Sequence, residues 1–173
     1  MMVPLLLQVV GVLLITSGLA LFPVGFVLLG KSDAKSTGVV TLVSGLSTLI
    51  LSFIITIVLS APLVGGLAFV FGIVQTVTGY HLYRGLDFKG VGWYCVVGAY
   101  ITAFYAALWF IQHSLWYAGF ATTWAILLAL FVPTTLKPTP LLTKITAIYL
   151  IIDVIAAFIT PGVILAMGIY AFA

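Results

Sequence analysis

Charge is what this 173-residue sequence has least of. Lys and Arg number six and acidic residues three, together 5% of the chain, against roughly a quarter in an average soluble domain. So few charges cannot hydrate the surface of a soluble globule of this size. A soluble enzyme, a disordered protein and a nucleic-acid binder are therefore excluded. The net charge of +3 rests on too few residues to imply an anionic partner. Cysteine is nearly absent too, and the lone Cys95 rules out a disulfide framework or a thiolate metal cluster. No His/Cys/Asp/Glu set has metal-ligand spacing, no Gly-rich loop could cradle phosphate, and no Ser/His/Asp set could meet. No metal, cofactor or enzymatic activity is expected.

What fills the chain instead is apolar sequence, 64% of it. Residues 1–30, 36–83 and 90–136 carry no charge, and 145–173 carries only Asp153. A bilayer-spanning helix needs about 20 apolar residues. The first and last blocks therefore hold one span each, and the two middle blocks hold two spans each. Six helices are predicted near 4–29, 38–60, 64–83, 91–112, 116–136 and 144–171. Ala61-Pro62 with Gly65-Gly66 marks one tight hairpin, and Gln112-His113-Ser114 the other. The runs are too long, and alternate too little, for barrel strands. The expectation is an all-α integral membrane protein, a single six-helix domain over 1–173, with the lipid bilayer as its first partner.

Lys31, Lys35, Arg84, Lys89, Lys137 and Lys144 all fall in the first, third and fifth connections. Positively charged loops stay cytoplasmic, which puts those loops inside and both termini outside. The first helix has no basic n-region and no small-residue cleavage site, and is read as retained. No connection exceeds about ten residues, too short for an extramembrane domain.

Asp153 is the one carboxylate inside a span. At a helix centre it costs roughly 2.5–3.5 kcal/mol to insert, so it is expected to face the bundle interior or a wet path. Lining a pathway and hydrogen-bonding to a neighbouring helix are both open to it. Thr146, Tyr149, Asp153, Ala157 and Thr160 share a face at α-helical spacing, with Ile148, Ile151, Ile152, Ile155, Phe158 and Ile159 on the other. Pro161-Gly162 is expected to loosen this helix. A hydroxyl stripe at Thr41, Ser44, Thr48 and Ser52 continues to Ile55 or Thr56 on helix two. Phe71, Gln75 and Thr78 or Gly79 share a face of helix three, and Trp116, Phe120, Thr123, Trp124 and Leu127 or Leu128 a face of helix five. Each stripe serves equally as helix–helix adhesive. Gly98, Thr102 and Ala106 on helix four read as close helix packing. His81, His113, Trp116 and Tyr117 read as interfacial residues, and Cys95 as inert packing.

Three segments carry a resemblance. Ser32-Asp33-Ala34-Lys35-Ser36-Thr37, then Gly85-Leu86-Asp87-Phe88 followed by Gly92-Trp93-Tyr94, then Ile151-Ile152-Asp153 eight residues before Pro161, occur in order and in register. From about residue 24 onward the chain resembles the AmiS/UreI family of bacterial urea channels and short-chain amide transporters. The resemblance implies a plasma-membrane homo-hexamer with a pore inside each six-helix protomer. It places Asp153 at the pore carboxylate, Phe71 and Trp124 at the aromatic constrictions, and Ile55 facing them. Gln75 stands where acid-gated members have a tyrosine, and Leu128 where they have a tryptophan, which leaves room for amides somewhat larger than urea. Those members also have a long, His-rich loop between helices two and three. Here that connection, about Ser60 to Gly66, has no His.

The expected function is a passive channel for urea, formamide or acetamide that feeds a cytosolic urease or amidase and needs no acid to open. Its pore would be lined by Ile55, Phe71, Gln75, Trp124, Leu128, Tyr149 and Asp153. A proton-coupled amide carrier using Asp153 and a non-transporting scaffold subunit are the rival readings.

Overall fold

A computed structural model of the chain describes residues 2–169, the side chains of residues 2 and 3 excepted. It is entirely helical: α1 (Met2–Leu28), α2 (Ala34–Phe53), α3 (Pro62–Arg84), α4 (Lys89–Ile111), α5 (Leu115–Leu136), α6 (Pro140–Asp153) and α7 (Thr160–Ala166). Two π-helical segments interrupt the α geometry. Ile54–Val58 extends α2, and Val154–Ile159 joins α6 to α7 into one sixth span. Six helices are thus long and apolar enough to cross a membrane. Apart from the places where Pro23, Pro133 and Pro161 lack an N–H, helical geometry lets each span pair its backbone within itself, as hydrocarbon requires.

Local chemistry sets the ends. The Asp33 carboxylate accepts from the Ser36 N–H at 2.7 Å and caps α2. That backbone bond holds its carboxyl below the ordinary carboxylate range. Helix two therefore starts at Ala34 rather than near 38. Thr139 caps α6 by accepting from the Leu142 N–H at 3.3 Å, with Pro140 in the first turn. The sixth span therefore begins at Pro140, not near 144, because a capped proline opens a helix that Lys144 does not interrupt. Its expected end at 171 lies outside the described residues; α7 stops at Ala166 and a turn ends in Gly168 at φ 75°. Gly65 and Gly66 belong to the first turns of α3, where Pro62 starts the helix, so the connection shrinks to Leu59–Ala61. His113, at φ 59°, makes the left-handed turn of the other hairpin.

The spans close into a ring. α1 packs on α2, α2 on α3, α3 on α4, α4 on α5 and α5 on α6, and α1 runs along the whole sixth span. Glycines at seven-residue spacing make the tightest seams, Gly38 and Gly45 on α2 facing Gly65, Gly72 and Gly79 on α3. A β-carbon on Gly79 would lie 2.3 Å from the Leu42 nitrogen, and one on Gly45 2.4 Å from the Thr76 nitrogen. Gly11, Gly18 and Gly25 repeat the device on α1, against Gly162, Ile159 and Ile151 of the sixth span. Apolar packing in lipid gains little from water exclusion, so this backbone approach supplies the association by dispersion. Outward, the bundle presents Val43, Ile50, Phe104, Phe110, Ile148 and Ile152, all exposed apolar side chains.

Gly79→Val is expected to destabilise the detergent-solubilised protein by about 1–3 kcal/mol through overpacking. Gly119→Val, where a β-carbon meets nothing within 4 Å, is expected to stay within about 0.5 kcal/mol of wild type. Thermal unfolding of both variants measures the difference.

Candidate functional site

α3 and α5 run from the charge-poor end of the bundle toward the basic end, and the sixth span runs back. Their antiparallel course brings Phe71, Trp124 and Phe158 to one level of the interior. The Phe71 and Trp124 rings meet edge-on at 5.2 Å, Trp124 and Phe158 at 4.8 Å, and Phe71 and Phe158 at 5.8 Å. Phe120 stacks on Trp124 at 6.2 Å. These rings, with Trp109, Tyr117 and apolar residues of α1, border a cavity of about 50 Å3. A single water needs about 10–15 Å3. The interior therefore has a ring-lined chamber rather than a filled core.

Phe158 overturns part of the sequence reading, which assigned it to the face opposite Asp153. In an α-helix, five residues carry a side chain about 140° around the axis. Here the intervening turn is π-helical, and the Thr160 N–H donates to the Ile155 carbonyl five residues back. That wider turn returns Phe158 to the Asp153 side, and its side chain is buried. The same shift leaves Thr160 exposed, off the face first given to it. Pro161 supplies the cause, since it has no N–H for the Ala157 carbonyl and its ring crowds that position. The proline was visible in the sequence; its effect on register was not.

Three buried side-chain atoms in the described structure lack a hydrogen-bond partner: Gln75 Nε2, Trp124 Nε1 and Asp153 Oδ2. Gln75 has no exposed surface and Asp153 has 5%. Each such atom costs about 1–3 kcal/mol when left unmatched, and all three residues belong to the predicted lining. Two are donors and one is an acceptor. The other end of Gln75 is held. Thr48 Oγ1 on α2 donates to Gln75 Oε1 at 3.2 Å, which spends its proton, so Ser17 on α1 donates to Thr48 at 3.3 Å. This relay aims the amide nitrogen and was not foreseen on the α1 side, where Ser17 is a lone hydroxyl in an apolar run.

The remaining predicted residues are placed as follows. Ile55 is fully buried in the first π-helical segment. Leu128 is buried against the notch left by Gly98 on α4. Neither they nor Gln75 border the aromatic chamber. Tyr149 is half-buried, and its hydroxyl donates to the Thr123 carbonyl at 3.0 Å, tying α6 to α5. Thr146 and Thr41 are likewise committed, to Thr134 at 2.7 Å and to the Ala20 carbonyl at 3.0 Å. Asp153 borders a groove between α5 and the sixth span, beside Thr123 and Phe120. Among the described residues there is no cluster of three metal-ligating side chains.

The family model described as AmiS/UreI family transporter matches residues 9–169. The chain belongs to the AmiS/UreI family. The match begins well before residue 24, where the motif resemblance starts. No curated protein matches the chain. Among solved structures, this AmiS/UreI chain is similar to the crystal structure of the urea channel from the human gastric pathogen Helicobacter pylori. The two are 22% identical with a TM-score of 0.78, over 90% of this chain and 96% of that one. A cryo-EM structure of the Helicobacter pylori urea channel in its closed state gives 21% identity and a TM-score of 0.79, over 91% and 97%. At this identity the likeness concerns the fold. The family is one of transporters, so this is a multi-pass membrane transport protein and not an enzyme.

Thr48→Val is expected to lower stability by about 1–3 kcal/mol, since it strands Gln75 Oε1 and Ser17 Oγ in the interior. Gln75→Leu should then cost less in the Thr48→Val background than in wild type. A double-mutant cycle read by denaturant unfolding checks this.

Proposed function

We propose that the chain is a passive channel for urea and small aliphatic amides. The observation that carries this reading is the trio of unmatched buried atoms on α3, α5 and the sixth span, the three elements that also supply the aromatic cluster. A urea or amide molecule is planar, neutral and compact. Its carbonyl accepts from donors such as Gln75 Nε2 and Trp124 Nε1, and its NH2 donates to a carboxylate such as Asp153. Phe71, Trp124 and Phe158 offer flat apolar walls, and Ile55 and Leu128 narrow the path. Lys35, Arg84, Lys89 and Lys144 all sit in the end turns of their spans at the basic end, so the proposed lining has no cation to anchor an anion, and selectivity comes from width and hydrogen-bond matching. Tyr149 contributes through its ring, its hydroxyl being committed to Thr123.

The proposal extends to setting. The basic loops face the cytoplasm of a bacterial cell and the termini face outward. Protomers assemble as a homo-hexamer with one pore each, and the solute feeds a cytosolic urease or amidase. Opening needs no acid. The Leu59–Ala61 connection carries no histidine, and His113 is the sole one at that end of the described structure; a single titrating group gives only a shallow response. The unmatched Asp153 oxygen also favours a second reading, proton-coupled uptake.

Stopped-flow light scattering on proteoliposomes separates these readings. The expected result is faster relaxation with urea and acetamide than in empty vesicles, equal at outside pH 5 and pH 7.4. Asp153→Asn should slow it roughly tenfold, equivalent to about 1.4 kcal/mol of lost solute stabilisation. Relaxation no faster than in empty vesicles defeats the channel. Uptake against a gradient that collapses with an uncoupler favours the coupled carrier.

A further inference from the structure

A further cleft opens at the basic end of the bundle, apart from the aromatic chamber. Where α1 stops and the sixth span starts, the two helices leave an open cleft of about 880 Å3. Lys31, Lys144, Thr139 and Thr143 border its mouth, and Leu28 and Ile148 its floor. Gly30, at φ 67°, ends α1 with a left-handed turn, and the Lys31 N–H closes back on the Phe26 carbonyl at 2.8 Å. The turn returns Lys31 to the cleft. On the opposite wall α6 begins at Pro140, so the positive end of its dipole lies at the same mouth. No carboxylate borders the cleft. Asp33, nearest to Lys31 in sequence, has its oxygen on the Ser36 N–H instead. Among the described residues the Thr143 hydroxyl has no hydrogen-bond partner, and neither ammonium is paired with a carboxylate.

Away from the mouth the surface turns apolar. Ile145, Ile148, Ile152 and Ile155 are all exposed and recur every three or four residues along the sixth span. Two cations, a helix N-terminus and a free hydroxyl thus stand at a membrane boundary, at the head of an apolar track. We propose that this cleft binds an anionic phospholipid, with the phosphate between Lys31 and Lys144 and an acyl chain along Ile148, Ile152 and Ile155. A soluble anion would use the charges but not the track, and a zwitterionic lipid the track without net attraction. Basic pockets between spans commonly take such headgroups. The lipid would brace the α1–α6 seam at the end where those helices part.

Native mass spectrometry of the full-length protein in detergent tests this. Palmitoyl-oleoyl phosphatidylglycerol is expected to bind at least fivefold more tightly than the matching phosphatidylcholine. Lys31→Gln with Lys144→Gln should remove that preference. Lys35→Gln with Lys89→Gln, which removes equal charge at the same end outside the cleft, should leave it. Preference that survives the first pair, or falls equally in the second, would show diffuse surface attraction and overturn the site. Binding of sn-glycerol 3-phosphate as tight as that of the lipid would overturn the lipid as occupant.

Discussion

Hydrocarbon offers no water to a polar group, and this constraint governs the molecule from backbone to interior. Every span must close its own peptide hydrogen bonds, and every side-chain hydroxyl or amide must find a partner within the bundle. Most do so by donating to a carbonyl one turn back, as Thr102 does to Gly98 and Thr122 to Ala118, or across a seam, as Tyr149 does to Thr123. Against that background the unmatched atoms of Gln75, Trp124 and Asp153 stand out. They lie among side chains that otherwise exclude water. A polar solute passing through such an interior would meet alternating ring faces and isolated hydrogen-bonding groups, enough to replace part of its hydration without holding it.

That interior exists because the seams around it are tight. Glycines let α2 and α3 approach to backbone contact, and α1 does the same against the sixth span. α4 and α5 complete the ring with larger side chains, and Trp124 on α5 meets Phe71 of α3 and Phe158 of the sixth span in the interior. The two π-helical segments then adjust register, the second of them where Pro161 disturbs the helical ladder. One places Ile55 in the interior, and the other sets Asp153 and Phe158 on a common side.

The likeness to the Helicobacter pylori urea channel, at 22% identity with a TM-score of 0.78, shows how few positions such a bundle needs to specify. A ring of spans joined by short turns depends on hydrophobic length, close-packing glycines and capped ends. Interior side chains can differ widely within that frame. Gln75 is an example. Its orientation comes from Thr48 and Ser17, a relay spanning three helices, so its role belongs to its surroundings as much as to its residue type.

Span number, and the separation of a basic end from a charge-poor end, were legible in the sequence. Charge and apolar length are summed along the chain and do not depend on contacts between helices. Asp153, Gln75, Phe71 and Trp124 were legible as candidates for the same reason, being polar or bulky groups whose cost or size in a span is intrinsic. Which face each residue occupies was not always legible. The α-helical period sent Phe158 outward and Thr160 inward, and the Pro161 π-turn reversed both. Nor did the stripes say which hydroxyls are adhesive; Thr41 and Thr146 are spent between helices, while Gln75 keeps an amide nitrogen free. Such assignments depend on what stands opposite across a seam, and that is settled only when six helices choose their neighbours and depth.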